Sequence, residues 1–274
     1  MIPSLFIVLI VMDERVEYME KGDFIKLQFD TYTEDGKLVE TTDEKKAKDS
    51  GIYDEHSSYK PIVTILGSGR LLKDLEDDIQ KASVGEEKEI MLPPEKAFGV
   101  RDTNSVRVSS YREVERSLVE EEKRAGRSGK DVYPEPGKMV RLGDRYGKIL
   151  TVTAGRVVVD FNHPLAGKAI KYVYKVLEKI EGEERKVAAI IEINFPKDSD
   201  KFKIETGEEF TITIPDSAKI DDSWPLAKFA IVGAIREYVA NKTVIFKEIF
   251  EKRVEEKKEE EKKVEPAPQT SAPS

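Results

Sequence analysis

FIKLQFDTYTEDGKLVE, residues 24–40, combines two strand patterns with a turn between them. Apolar residues at positions 25, 27 and 29 alternate with polar ones, the period of two that is typical of a strand with one buried face. Asp35-Gly36 is a turn signal, and Leu38 and Val39 follow it. The stretch therefore predicts a β-hairpin near the start of a folded domain.

The next segment predicts a sheet with one packed helix. Residues 42–59 are polar and predict a loop, and residues 62–66 and 88–92 have strand composition. Between these strands, residues 70–81 place Leu71, Leu72, Leu75 and Ile79 on one helical face, opposite a charged face. A glycine-rich break at 67–69 separates the first strand from this helix.

After position 99 the composition changes, which indicates an inserted unit at about residues 100–155. A short strand around Val106 and Val108, a charged helix over 111–124 and strands over 139–142 and 149–152 are predicted in it. Residues 156–161 and 169–180 are again rich in β-branched and aromatic residues. We expect both to complete the sheet that begins at Phe24.

A C-terminal α+β domain is predicted over residues 184–250. Its expected elements are strands at 187–195, 202–205, 210–214 and 244–250, and a helix over 224–240 with Ser223 as N-cap. The face of this helix that is expected to pack consists of Leu226, Phe229, Ala230 and Gly233.

The two chain ends are expected to lie outside the folded domains. The apolar stretch within residues 1–18 is shorter than the ~20 residues that span a bilayer, so a disordered leader or a mis-assigned start codon is favoured over a membrane anchor. Residues 251–274 are rich in Glu and Lys and then in Pro, Ser and Ala, which predicts a disordered tail.

Composition excludes several kinds of chemistry. The net charge of −8 argues against nucleic acid as a partner. The absence of cysteine excludes disulfides and thiol nucleophiles, which fits a cytoplasmic protein, and two histidines exclude a multi-histidine metal site. We therefore expect a protein without metal or cofactor and without membrane attachment.

Three local motifs have a functional and a structural interpretation. Gly67-Ser68-Gly69 lacks the further residues of a phosphate-binding loop and is interpreted as a turn. The acidic pairs Asp77-Asp78 and Glu86-Glu87 are interpreted as solvated surface. For His163, a structural hydrogen-bonding role is favoured over a catalytic one, since no cysteine or marked serine motif accompanies it.

A distributed pattern resembles the FKBP-type peptidyl-prolyl cis-trans isomerases. Residues 29–40, Leu66-Gly67, Leu71-Leu72, residues 84–86 and residues 94–99 follow one another in the order of that family. VDFNHPLAGK at 159–168 is similar to the signature of the SlyD-like branch, in which an insert-in-flap domain interrupts the barrel. The resemblance covers about residues 20–182, and residues 184–250 are similar to the extra domain of long archaeal members.

The resemblance implies an α+β fold: an antiparallel half-barrel around one helix, formed by residues 19–99 and 156–182, with a small β-rich flap domain at 100–155. The proline site would lie between sheet and helix. Carried over by position, its residues are Phe29, Val39, Glu40, Ile62, Leu71, Leu72, Leu75, Phe98 and Tyr172. Phe29 and Phe98 stand where tyrosine is usual in the family, and Glu40 where aspartate is usual, which would weaken hydrogen bonding in the site.

The implied function is acceleration of X-Pro rotation during protein folding, with chaperone activity of the insert toward unfolded chains. The expected partners are unfolded or proline-containing polypeptides, and the C-terminal domain is a candidate for homodimer formation. Two alternatives stay open: a catalytically weak holdase or interaction module, and a C-terminal domain that docks on the ribosome or another assembly.

Overall fold

The computed structural model describes residues 18–251, so the leader and tail predictions lie outside it apart from Tyr18 and Glu251. The strands are β1 (Phe24–Thr33), β2 (Leu38–Thr41), β3 (Ile62–Ile65), β4 (Glu87–Leu92), β5 (Val106–Ser110), β6 (Met139–Leu142), β7 (Arg145–Thr153), β8 (Arg156–Asp160), β9 (Ile170–Ile180), β10 (Lys203–Glu205), β11 (Phe210–Thr213) and β12 (Val244–Lys247). The helices are α1 (Glu44–Asp49), α2 (Lys73–Ile79), α3 (Tyr111–Arg124), α4 (Glu183–Asn194), α5 (Asp216–Lys219) and α6 (Trp224–Tyr238). None of the helices in this part of the chain has the length and apolar character needed to cross a bilayer.

The first sheet has five strands and is centred on β1. Its order is β2-β1-β9-β4, and β3 pairs with the other end of β1, all antiparallel. The predicted β1–β2 hairpin is confirmed: Thr33 N–H donates to Lys37 O (2.9 Å) across the turn, where Gly36 has a φ of +79°. A side chain at Gly36 would be strained, which explains the Asp-Gly signal.

Helix α2 packs on this sheet and begins later than predicted. Its buried residues Leu75 and Ile79 share a core with Leu27, Tyr174 and the other inward-facing residues of β1 and β9. Leu71 and Leu72 precede the helix rather than lying in its first turn. Within the region expected to be only a loop, α1 forms because Asp43 caps it, accepting from the N–H groups of Lys45 (2.8 Å) and Lys46 (3.1 Å).

The second sheet belongs to the inserted unit and corrects one prediction. Its order is β5-β8-β7-β6, and α3 covers one face through Val114 and Leu118. β8 pairs with β5 and β7, so residues 156–161 do not complete the sheet that begins at Phe24, whereas β9 does. β7 and β8 are consecutive antiparallel strands joined by a tight turn at Gly155, whose φ is +84°. A local hairpin therefore binds β8 to the insert.

The C-terminal unit has a third sheet, of order β10-β11-β12, and two long helices. Residues 187–195 were expected to form a strand, but they lie in α4 and its C-cap. Val187, Ile190 and Ile191 are fully buried and spaced i, i+3, i+4, so a helix buries them on one side, while a strand would split them between two faces.

Helix α6 packs through a different face from the predicted one. Leu226 and Phe229 are 77% and 79% exposed, while Trp224, Ile231 and Ile235 are buried. The helix carries apolar residues on more than one side, so periodicity alone does not show which stripe faces the core. Ser223 is the N-cap residue of α6, as predicted, but its side chain makes no capping hydrogen bond.

Strand β3 lies between the cores of the first and third units. Ile62 packs on the first core, while Val63 and Ile65 pack on the C-terminal core together with Phe24 and Ile180. Alternation of side chains along the strand produces this division. The isomerase-like sheet and the C-terminal unit therefore share one continuous hydrophobic core.

Candidate active site

One cavity of about 350 Å³ brings together eight of the nine predicted site residues. Gly69 and Arg70, which the sequence interpretation left out, also line it. Val39 is not among the lining residues. It is the extra residue of a bulge, since Thr31 pairs with Glu40 and Tyr32 with Leu38. The lining residues from the prediction are Phe29, Glu40, Ile62, Leu71, Leu72, Leu75, Phe98 and Tyr172.

The floor of the cavity is a face of the first sheet. Thr31 pairs with Glu40 on one side and with Tyr172 on the other, so these two side chains lie in one cross-strand row. Phe29, two residues before Thr31, is on the same face, and its ring centroid is 6.3 Å from that of Tyr172. The strand register thus assembles the apolar floor.

The loop before α2 forms a second wall. Gly69 has a φ of +75°, a backbone conformation that side chains disfavour, and it lets the chain turn from β3 into the helix. Leu71 and Leu72 follow and are half-buried, and Leu75 is the first buried residue of α2. No side chain caps the N-terminus of α2 at Leu72.

Phe98 is held at the cavity by His163. The two rings stack with centroids 4.3 Å apart and planes 5° apart. Nδ1 of His163 accepts a hydrogen bond from Leu165 N–H (3.2 Å), which fixes the imidazole. The hydrogen bond expected of His163 is therefore present, and its ring packs on an aromatic wall of the cavity.

The rest of the 159–168 signature ties the insert to the first sheet. Asn162 makes two hydrogen bonds of 2.9 Å with Asp102, accepting from its N–H and donating to its carbonyl. Arg101 pairs with Asp160 at 2.6 Å, and Gly167 N–H donates to Gly99 O (2.8 Å). These contacts, here called the neck, bring the two chain segments that enter and leave the insert side by side.

Three ionisable residues line the cavity: Arg70 on the loop wall, and Glu40 and Tyr172, whose pKa values are both raised. Burial raises the pKa of the Glu40 carboxyl above its ordinary value, although the residue as a whole is exposed. Burial, reinforced by the negative charge of Glu40, raises the pKa of the Tyr172 phenol to about 12. The cavity is therefore poor at solvating charge and suits an uncharged ligand.

Nothing in the described range suggests a resident metal. Residues 18–251 contain no group of three or more His, Asp or Glu side chains arranged to hold a cation. The expectation that no cofactor is needed stays a prediction.

Comparisons with known proteins agree with this geometry. The family model "FKBP-type peptidyl-prolyl cis-trans isomerase" matches residues 16–114, "FKBP26, IF domain" matches 128–165 and "FKBP26_C-terminal" matches 183–251. The short-type peptidyl-prolyl cis-trans isomerase of Methanocaldococcus jannaschii is 35% identical over 161 residues, 59% of this chain and 94% of its own. SlyD of Helicobacter pylori is 30% identical over 140 residues, 51% of this chain and 70% of its own. The FKBP-type 16 kDa isomerase of Escherichia coli is 26% identical over 167 residues, 59% of this chain and 94% of its own.

Proposed function

The chain belongs to the FKBP-type peptidyl-prolyl cis-trans isomerases, with a SlyD-like insert, and from this premise we propose that it accelerates X-Pro rotation in folding polypeptides and holds unfolded segments on its insert. Isomerase activity follows from the family. The roles of the individual residues, the chaperone activity and the choice of partners are the proposal.

The observation that carries the proposed site is the apolar cavity that brings together Phe29, Leu75, Phe98 and Tyr172. X-Pro rotation has a barrier of ~18–20 kcal/mol because twisting the amide removes its resonance. No proton needs to move, so catalysis requires only tighter binding of the twisted than of the planar bond. A water-poor cavity favours the twisted amide because that form is less polar.

Two polar groups would orient the substrate. The backbone N–H of Leu72, at the start of α2, would donate to a substrate carbonyl, and Glu40 would face the rotating one. Stabilising the twisted bond by about 5 kcal/mol would accelerate rotation about five-thousandfold. The half-barrel around α2 and the flap position of the insert belong to the same proposal.

Phe98 provides the test that separates an isomerase from a weak holdase. We expect Phe98→Ala to lower kcat/KM on a prolyl tetrapeptide at least about tenfold, because the cavity loses an apolar wall. Phe98→Tyr, which restores the residue usual in the family, should match or exceed the parent. Unchanged turnover in Phe98→Ala, in a variant with unaltered circular dichroism, would contradict the proposed site. Absence of turnover in the parent would favour the holdase.

The insert has the surface expected of a chaperone unit. Its helix α3 covers one sheet face, and large apolar side chains stay exposed elsewhere on the unit. Such a surface next to the prolyl cavity would raise the local concentration of unfolded chain. The exposed residues are Val108, Tyr133, Met139, Tyr146 and Leu150.

The neck allows the insert to be removed cleanly. Because Asp102 and Asn162 are hydrogen-bonded and Arg101 pairs with Asp160, a short Gly-Ser linker can replace residues 103–159 and leave the neck intact. We expect this variant to turn over a tetrapeptide like the parent but to accelerate proline-limited refolding of a protein far less. The matched double variant, Tyr146→Ser with Leu150→Ser, should likewise keep the parent's turnover of the tetrapeptide and accelerate protein refolding far less. Equal refolding rates in all three proteins would argue against client binding by the insert.

The C-terminal unit offers a surface for pairing two chains. Leu226 and Phe229 are three residues apart on α6 and are both largely exposed. Symmetric dimers are a common way to bury such a stripe. Sedimentation equilibrium should give a dimer for the parent and a monomer for Leu226→Asp with Phe229→Asp. A parent that is monomeric at all concentrations would contradict pairing.

A further inference from the structure

A second groove of about 350 Å³ continues from the candidate prolyl cavity. The two share three lining residues, Ile62, Arg70 and Leu71. The groove is here called the interdomain groove, because its other wall is α4 together with Pro196, two residues beyond the end of that helix. The residues that line it are Ser58, Lys60, Pro61, Ile62, Val63, Thr64, Arg70, Leu71, Glu192, Ile193 and Pro196.

The groove runs along an unpaired edge of β3. It is lined by the consecutive residues 60–64, and successive side chains of a strand point to opposite faces, so a groove that meets all of them follows the strand edge. Among the described strands, β3 pairs only with β1. An extended polypeptide can pair with such an edge through its backbone.

The lining chemistry favours an apolar segment. Ile193 is half-buried and Pro196 is exposed, and they face the groove opposite Ile62 and Val63. Thr64 is only 2% exposed and its hydroxyl is fully buried, so the apolar residues rather than this hydroxyl would contact a bound segment.

The two walls hold a fixed separation. Lys60 pairs with Glu192 at 3.0 Å, and Arg70 Nη2 donates to Asn194 Oδ1 (3.4 Å). Beneath them, β3 and α4 share a core through Ile65, Val187 and Ile190. The groove is thus pre-formed, which reduces the entropic cost of binding.

We propose that the interdomain groove is a subsite for the client polypeptide, binding an extended apolar segment a few residues to one side of the proline that occupies the cavity. This rests on the proposed function of the cavity. Because the two cavities share lining residues and an extended chain advances ~3.3 Å per residue, a few residues reach from one into the other. The C-terminal unit then contributes to substrate choice through Ile193 and Pro196.

The test uses matched peptides. A prolyl tetrapeptide is extended by four residues on its N-terminal or its C-terminal side, with either leucine and valine or aspartate and serine, and both kcat/KM and the Kd of fluorescent versions are measured. On one side only, the apolar extension should raise kcat/KM about tenfold and lower Kd about tenfold relative to the polar one. Equal values for apolar and polar extensions on both sides would overturn the subsite.

Point variants test whether the preference for an apolar extension arises in the interdomain groove. Ile193→Ala and, separately, Pro196→Ser should lower the apolar-to-polar ratio of kcat/KM severalfold. Ile204→Ala removes an isoleucine that packs on the same C-terminal core but does not line the groove, and should leave the ratio unchanged. A ratio unaffected by both groove variants, or lowered equally by Ile204→Ala, would overturn the proposal. If the parent fails to turn over the tetrapeptide, the catalytic proposal fails, and the Kd ratio still decides the subsite.

Discussion

Thr31 of β1 places two ionisable side chains of the candidate active site side by side, because it pairs with Glu40 on one side and Tyr172 on the other. The carboxyl and the phenol therefore share one partly buried row. Among the residues that line the cavity, Arg70 on the loop wall is the one cation. Such a row penalises ionisation and suits an uncharged ligand.

Replacing Glu40 with glutamine should stabilise the protein at neutral pH. The folded-state pKa of Glu40 is raised, so the folded chain holds this proton more tightly than the unfolded chain, and ionisation costs stability. The cost is absent below the unfolded pKa, ordinarily 4.5, and complete above the folded one. Thermal unfolding should give Glu40→Gln a higher Tm at pH 7 and the parent's Tm at about pH 3.5.

The control for this prediction is Glu34→Gln, on the exposed turn between β1 and β2. The Tm difference between Glu34→Gln and the parent should be about the same at pH 7 and at pH 3.5. A Tm difference for Glu40→Gln that is the same at both would show that lost contacts, rather than ionisation, cause the effect.

At the scale of elements, Gly147 explains how tightly the insert sheet packs. A Cβ added at Gly147 would lie 2.6 Å from Val159 Cγ1 and 2.8 Å from a ring carbon of Phe161. Gly147→Ala should therefore destabilise the insert by about 1–3 kcal/mol. Hydrogen exchange should quicken in β5 to β8 while β1 and β9 keep their protection. Equal loss in both sheets would mean that insert and first sheet unfold as one unit.

Gly233→Ala is the opposite case. Gly233 lies inside α6, a Cβ there meets nothing within 4 Å, and its φ is not positive. Alanine should stabilise the helix by about 0.5–1 kcal/mol, because it loses less backbone entropy on folding. Denaturant unfolding should show an unchanged m-value and a higher midpoint. A lower midpoint would indicate that this face of α6 is in contact with something, such as a second chain.

Strand and helix patterns with one clear period predicted their elements well. The β1–β2 hairpin and α3 are where alternation and charge pattern placed them. The sequence could not choose where several answers satisfy the same pattern. In α6, Leu226 and Phe229 form as good a stripe as Trp224 and Ile231, and only the tertiary partner decides.

Other errors came from β-branched residues and from strand pairing. The Val-Ala-Ala-Ile-Ile run of α4 favours a strand by composition, yet its i, i+3, i+4 spacing and the acidic residues Glu183 and Glu184 of its first turn fit a helix. Strand β8 was recognised but assigned to the wrong sheet, because local sequence does not name a strand's partner. Eight of the nine residues carried over from the family's order of motifs line one cavity. Val39 does not, because it lies in a bulge that depends on the register of β1 and β2, which local sequence does not specify.

At the scale of the whole molecule, the first sheet depends on the C-terminal unit. Phe24, Ile65 and Ile180 are 0%, 3% and 6% exposed, and the residues that cover them include Val187, Ile190 and the rest of a core formed mainly after position 182. A chain ending at residue 182 would expose these side chains on one face of the sheet. Each loses about 1.5–3 kcal/mol of burial.

We therefore expect a chain of residues 18–182 to unfold at a lower denaturant concentration than the full chain and to bind a hydrophobic dye. Replacing Phe24, Ile65 and Ile180 by threonine in the truncated chain should lower dye binding to the level of the full chain, because it removes the newly exposed apolar face. The same replacements in the full chain should be strongly destabilising, because they open cavities in the shared core. If truncation left the midpoint of unfolding unchanged, the two units would be independent, and the fixed separation of the walls of the interdomain groove would lose its basis.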